Sequence, residues 1–544
     1  MGNTLTADPT TVYLSYTLAE LPTSQHRAGL VGLIMLLQDL EKSDCSNTLV
    51  KQLTETGAQI ALNEDDLKIL LDEVYAASEE LQGREAPFKG VEPTKVEELE
   101  VIDPKNSNKT KLKKLYFYPQ IVPKGAFLDR YDQSQNKVWI KLWRDLVWQI
   151  MRGVPATRRP YEDRALGKDC PDVKTIWKQI SREGEKSIEL ASTYFIGAQA
   201  ANAERVSFKD QGRFQFLLHF WIFATQIYIP QSIDRDGKRV YDGFCLAVPD
   251  VSMLKSFCDD YRLVLRRTAE DNSRYRPKDA IIEIPEEAGL DTIRRLTQVI
   301  KASSAKLETR KLLFGIDIFH MARDGNNVRL LYSGRVEPER ERDRDFAQIK
   351  ELLKDSFFKR QRIVNLLRNQ SWYQGFDKLL STLPLEQGLL SQFFSIDAQK
   401  SFAEAKEKHK EEMMTATGSI ESEIDGVCLE SLVLQIIKDY LRSKLKTKHN
   451  LEWSKEWSKD KTREFNEKRE HIGKDCFYAI RSRTGEDFIN YFASSICSVP
   501  QWMSREQYLK ITSTLYDNPE KVRTLSMIAL STCVGRPTEK KGDE

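Results

Sequence analysis

Two stretches constrain the fold of this 544-residue chain more than any others. IYIPQSIDRDGKRVYDGFCLAVPDV (227–251) and LLFGIDIFHMARDGNNVRLLYSGRV (312–336) each place an Asp-Gly pair between runs rich in β-branched and aromatic residues, at Asp236-Gly237 and Asp324-Gly325. Asp-Gly tolerates the positive φ of a tight turn, so each stretch reads as two arms of an antiparallel hairpin. Helical segments at about 251–269 and 289–308 lie between the hairpins. The middle of the chain is therefore α+β with antiparallel strands, not a repeating βαβ sheet. KLYFYPQIV before them is strand-like, and KVWIKLWRDLVWQIMRG (137–153) is a Trp-rich helix whose Trp139, Trp143 and Trp148 read as core.

The flanks read as helical. Residues 1–85 contain the apolar segment 24–40, then NEDDLKILLDEVYAASEEL (63–81). There Asn63 is a good N-cap, and Leu67, Leu70, Leu71, Val74 and Tyr75 recur at helical spacing. A polar connector follows at roughly 83–110. From 346 onward the pattern is helical, with a small-residue break inside SFAEAKEKHKEEMMTATGSIESEIDG (401–426). The expected organisation is a helical region with its connector (1–110), an α+β body (111–345), a helical connector (346–412) and a helical bundle (413–544).

Composition excludes several classes. Hydrophobic residues make up 40% and charged residues 30%, as in a globular protein. No apolar run reaches the roughly 18 residues that span a bilayer, and the N-terminus lacks a signal-peptide layout. MGNTLT matches the short myristoylation pattern, which arises easily by chance. Eight cysteines without a C-x-x-C pair suit scattered, reduced thiols in the cytoplasm. Net charge is only +2, so any surface for nucleic acid must be local.

Phosphate-loop, dinucleotide-binding, nucleophile-elbow and zinc-protease motifs are missing. GKDC at 167–170 has no Ser or Thr after its lysine. None of the six histidines is paired at a metal-ligand spacing, and His219 and His320 lie on apolar elements as core residues. Asp317 and Asp324 are accounted for by strand alternation and by the turn. No cofactor, metal or catalytic residue is expected. The alternative from another class is a metal-dependent nuclease or nucleic-acid-processing enzyme, which divalent-metal-dependent cleavage by the chain would reveal. A third reading is a helical interaction protein with no nucleic-acid contact.

Arg, Lys, Asn and Gln at turns and helix ends are the residues from which phosphates and base edges are reached. RGVPATRRPYEDR (152–164) holds Arg152, Arg158, Arg159 and Arg164, opposed in part by Glu162 and Asp163. GAQAANAERV (197–206) sets Gln199, Asn202 and Arg205 near one helical face, which structural capping explains equally well. Lys238 and Arg239 stand at the tip of the first hairpin. Residues 442–483 hold 13 basic against seven acidic residues, a local charge of +6 that can follow a phosphate backbone. Binding is the preferred reading for Arg442, Lys444, Lys446 and Lys448, while alternating signs at 454–470 equally suit a solvated, ion-paired helix.

LPTSQHRAGL, WRDLVWQIMRGVPATRRP, and GAQAANAE followed by FLLHFW and the DGKR hairpin together resemble the large subunit of type I CRISPR Cascade. Within that group they resemble the myxan-type branch, which also occurs in subtype I-B systems, including transposon-associated ones. The resemblance covers about 12–345 well and is looser beyond. It implies a non-enzymatic subunit of an RNA-guided complex, in which guide RNA reads the target and this chain reads the PAM on double-stranded DNA and helps to open it. Implied contacts are the 5′ handle of the guide RNA (crRNA), the displaced single strand, the Cascade backbone and handle-binding subunits, and small subunits. A downstream helicase-nuclease or transposition adaptor is a further implied partner; a membrane is not. The helical tail resembles a Cascade small subunit, and Met413-Met414 offers an internal start from which it could be made separately.

One local anomaly bears on this. Thr23 or Ser24 can cap the helix of LPTSQHRAGL, and Gly29 and Gly32 permit close packing, yet beside Gln25 the residues His26 and Arg27 place cations in a first turn where the helix dipole disfavours them. A bound phosphate would explain the placement, as would a carboxylate partner such as Glu20.

Overall fold

The computed structural model describes residues 11–43, 48–103, 106–153, 157–182, 184–189, 209–234, 237–266, 272–273, 275–303, 308–325, 327–415, 426–454, 457–498 and 502–536. The chain divides into two compact units, Met1–Ser232 with Arg239–Glu339, and Ile233–Lys238 with Arg340–Glu544.

The first unit opens with an antiparallel sheet of β1 (Val12–Thr17), β2 (Val50–Leu53) and β3 (Gly57–Leu62), ordered β1-β3-β2. Helix α1 (Ser24–Ser43) follows β1 and is almost wholly buried. A Cβ at Gly29 or Gly32 would collide with the carbonyl of Leu217 or Phe220, so these glycines bring α1 against the 212–224 segment at backbone distance. Helix α2 (Glu64–Val74) begins at Asn63, whose Oδ1 accepts from the Asp66 amide at 2.7 Å while Asp66 Oδ2 accepts from the Asn63 amide at 3.1 Å. Leu67, Leu70, Leu71 and Val74 are buried, as their spacing predicts.

The helix expected to run to 81 stops at Val74, and the polar stretch expected as a connector is a second antiparallel sheet. It consists of β4 (Ala77–Arg84), β5 (Lys95–Asp103) and β6 (Asn106–Pro123), in the order β4-β6-β5. Charges hold it together across the strands, with Lys114–Glu98 at 2.9 Å and Lys124–Glu80 at 3.0 Å. A sheet largely exposed on both faces has no apolar alternation to announce it.

The Trp-rich segment forms α3 (Val138–Leu146), which ends in a π-helical turn at Val147–Met151, and α4 (Arg159–Ala165) follows. Both expected hairpins form, and they share one sheet. Its strands are β7 (Gln226–Ile233), β8 (Arg239–Tyr241), β9 (Phe244–Val251), β10 (Ile281–Ile282), β11 (Leu313–Asp324) and β12 (Asn327–Val336). The order is β8-β7-β9-β11-β12, with β10 parallel to β7. β9 is buried at every residue, because α1 and the helix α6 (Glu286–Ser303) both pack on it; α5 (Leu254–Leu265) adjoins α1 and α6.

The second unit is helical: α7 (Arg340–Leu352), α8 (Ser356–Leu367), α9 (Phe376–Thr382), α10 (Gln392–Thr415), α11 (Leu429–His449), α12 (Lys459–Arg481), α13 (Arg505–Asp517) and α14 (Pro519–Val534), with a shorter helix at Gly485–Tyr491. Helix α14 is buried at every residue from Val522 to Ser531, and α9, α10, α11, α12 and α13 pack around it. Among the described residues no helix is long and apolar enough to cross a membrane.

Candidate nucleic-acid interface

The cations in the first turn of α1 point inward. Gln25 and His26 are 3% and 1% exposed. The His26 ring meets Thr23 Oγ1 through Nδ1 at 2.8 Å and Asp210 Oδ2 through Nε2 at 2.7 Å. Arg27 Nε donates to the Leu18 carbonyl at 3.1 Å, and its Nη1 pairs with Asp250 Oδ1. Asp250 also receives Arg335 Nη2 at 2.8 Å, and Arg335 reaches Asp317 at 3.0 Å. A chain of alternating charges thus joins α1 to β9, β11 and β12. The carboxylate that accounts for Arg27 is Asp250; Glu20 is held by Arg213 at 2.9 Å. Of Gln25, His26 and Arg27, the two basic residues each meet a carboxylate of the protein, Asp210 and Asp250. Dipole disfavour of about 0.3–1 kcal/mol is outweighed by a desolvated charge-assisted pair.

The arginine-rich loop divides in the same way. Arg152 is 6% exposed and donates to Tyr75 Oη at 3.1 Å and to the Thr157 carbonyl at 3.3 Å. Tyr75 Oη also meets His219 Nδ1 at 2.8 Å. Burial, aided by the Arg152 charge, pushes the His219 pKa down to about 3, so the ring is a neutral core group. Arg158 donates to the carbonyls of Arg152 and Trp148 at 2.9 and 3.1 Å and lies 4.3 Å from the centroid of the Trp148 ring. Arg164 pairs with Asp72 at 3.3 Å and caps the Lys168 carbonyl at 2.7 Å. Arg152, Arg158 and Arg164 thus brace the loop through bonds within the protein. Arg159 alone of the four projects, its side chain 75% exposed and loosely paired with Asp163 at 3.4 Å.

Lys238 and Arg239 are exposed at the β7–β8 turn. Gly237 adopts φ +76° there, and Asp234 Oδ1 accepts the Lys238 amide at 2.8 Å. On α11, Arg442 is 73% exposed and pairs with Asp439 at 3.4 Å. Lys444 lies half-buried with Nζ 5.5 Å from the Tyr440 ring centroid. Lys446 pairs with Glu452, and the exposed Lys448 has no partner among the described residues. On α12, Arg463–Glu467 at 2.9 Å and Lys474–Glu470 at 2.7 Å show the ion-paired pattern. Gln199, Asn202 and Arg205 lie outside the described residues.

His320, like His219, is a core residue, 7% exposed with Nε2 2.7 Å from the Asp242 carbonyl. Among the described residues no three His, Cys, Asp or Glu side chains converge as a metal site, and seven cysteines are unpaired. One group went unread in the sequence. Trp453, Trp457 and Phe465 meet ring to ring at centroid separations of 5.4 to 5.7 Å, with Lys461 Nζ 5.1 Å from the Trp457 ring centroid. Its signal is the repeat EWSKEWSK, two tryptophans four apart inside a basic stretch.

A family model described as Type I-B CRISPR Cas8b N-terminal domain matches residues 48–306, and one described as Type I-B CRISPR Cas8b C-terminal domain matches residues 313–533. No curated protein matches the chain.

Proposed function

This chain belongs to the type I-B CRISPR Cas8b family, making it a large subunit of Cascade that works with other Cascade subunits and nucleic acid, and on that premise we propose that it reads the PAM on target DNA, helps to open the duplex and guides the displaced strand without catalytic chemistry of its own. The 5′ handle of the guide RNA and the Cascade backbone complete its partners in this reading. Target sequence would be read by guide pairing, leaving the protein to supply positive charge and a small amount of base readout.

The observation that carries the proposal is the exposure of Lys238 and Arg239 on a turn braced by Asp234. Braced turns present cations to a groove without first having to be ordered. Arg159 in the first unit, and separately Arg442, Lys444, Lys446 and Lys448 on α11 in the second, supply further positive charge that a phosphate backbone can follow.

Lys238→Ala and Arg239→Ala, each in an assembled complex, test the reading by titration with PAM-bearing and PAM-free duplexes across a salt series. Loss of a phosphate contact weakens binding to both duplexes and lowers the salt slope by about 0.9 per contact. Loss of a base contact narrows the difference between the duplexes by about 1–3 kcal/mol. Two variants that bind both duplexes like the parent would overturn the assignment.

A further inference from the structure

Tryptophan in a helix–helix connection usually buries its ring. Trp453 does not: it is 57% exposed, although the Phe465 ring beneath it is only 7% exposed. Its indole is nevertheless held in place. Centroids of Trp453 and Phe465 are 5.4 Å apart, and those of Trp453 and Trp457 are 5.7 Å apart at an interplanar angle of 69°. Phe465 is fixed on α12 and Trp457 stands just before the Ser458 N-cap of that helix, so an open aromatic face is mounted on a rigid support.

One cation lies against this group, and another is close along the chain. Lys461 sits 5.1 Å from the Trp457 ring centroid, and the exposed Lys448 precedes the turn, in the last turn of α11. The surrounding stretch 442–483 carries 13 basic against seven acidic residues. Rigid aromatic faces among lysines are what a single strand needs, because each base offers a π-face and each nucleotide a phosphate. A duplex hides its base faces within the stack, so only an opened strand fits. Phosphate contact alone would need no indole, and a purely structural indole would turn its outer face inward.

We propose that Trp453, supported by Trp457 and Phe465 with Lys461 against the Trp457 ring, is a base-stacking platform for the displaced DNA strand. The proposal rests on the reading that this chain guides that strand, and adds how it does so.

The full chain, titrated with a labelled oligothymidylate and with an abasic strand of equal length, tests it. Trp453→Ala should lose roughly tenfold in affinity for oligothymidylate, the scale of one lost stacking contact, with an unchanged salt slope. Trp453→Phe, which keeps a flat ring, should recover most of the loss. The abasic strand should bind parent and Trp453→Ala alike. Equal affinity of Trp453→Ala and parent for oligothymidylate overturns the proposal, as does an equal loss on the abasic strand. A loss seen with oligouridylate and not with oligothymidylate overturns the assignment to DNA. A parent that retains neither strand overturns the underlying reading along with the proposal.

Discussion

Asp250 serves two guanidinium groups, Arg27 from α1 and Arg335 from β12, and is itself only 6% exposed. A half-neutralised carboxylate there would be costly, which is why the chain tolerates a cation at a helix start. A different carboxylate has the opposite fate. Asp355 caps α8, with Oδ1 accepting the Phe358 amide at 3.0 Å and Oδ2 accepting from Ser391 Oγ at 3.3 Å. Burial, reinforced by the neighbouring Asp397 carboxylate, pushes its pKa up to about 6. The folded chain then holds a proton that the unfolded chain releases near pH ~4. Stability from this group is therefore present at low pH and lost as pH rises from about 4 to about 6. Asp355→Asn keeps a capping oxygen and removes the titration. Urea unfolding should show the variant gaining on the parent by ~2–3 kcal/mol between about pH 4 and about pH 7. A difference that does not change with pH would contradict this account.

Among the elements, α1 shows how a small residue decides packing. An exposed Gly→Ala change in a helix would stabilise by about 1 kcal/mol. At Gly32 the added Cβ meets the Phe220 carbonyl, backbone that cannot swing aside, so Gly32→Ala should destabilise by ~1–3 kcal/mol. A drop in the urea midpoint, with the slope unchanged, checks the sign. Legibility differed among the elements for physical reasons. α2 was readable because its cap and its apolar stripe are local. The two Asp-Gly hairpins were readable because turn chemistry and strand composition agree. β4, β5 and β6 were not: their pairing joins Leu81 to Pro119 and Glu98 to Lys114, and their exposed faces leave no period to follow. The polar residues between 83 and 110 looked like a connector because charge alone cannot distinguish a loop from a solvated sheet.

For the whole molecule, the packing boundary falls at Glu339/Arg340, although the C-terminal family model begins at 313. Strand β11 explains the offset: residues 313–321 pair with β9 and so belong by contact to the first unit. Packing also bears on a separately made tail. A product beginning at Met413 or Met414 would lack α9 and most of α10. Both cover α14: Arg523 reaches Asp377 of α9 at 3.4 Å, and Gln399 of α10 donates to the Thr532 carbonyl at 3.2 Å. Residues 413–544 expressed alone should expose apolar α14 surface and unfold without cooperativity, whereas residues 340–544 should unfold in one transition; circular dichroism melts of the two fragments would decide. A sharp transition from the shorter fragment would show that α14 needs neither helix. Sequence by itself determined the class of fold, the hairpins, the helical second half and the absence of familiar catalytic motifs, because these depend on neighbours along the chain. Only the tertiary structure decided which cations are held by partners far along the chain. Arg27, Arg152, Arg158 and Arg164 look the same as Arg159 and Arg239 in sequence, but distant carboxylates, carbonyls and rings claim the first four, and such partners are set by packing, not by spacing.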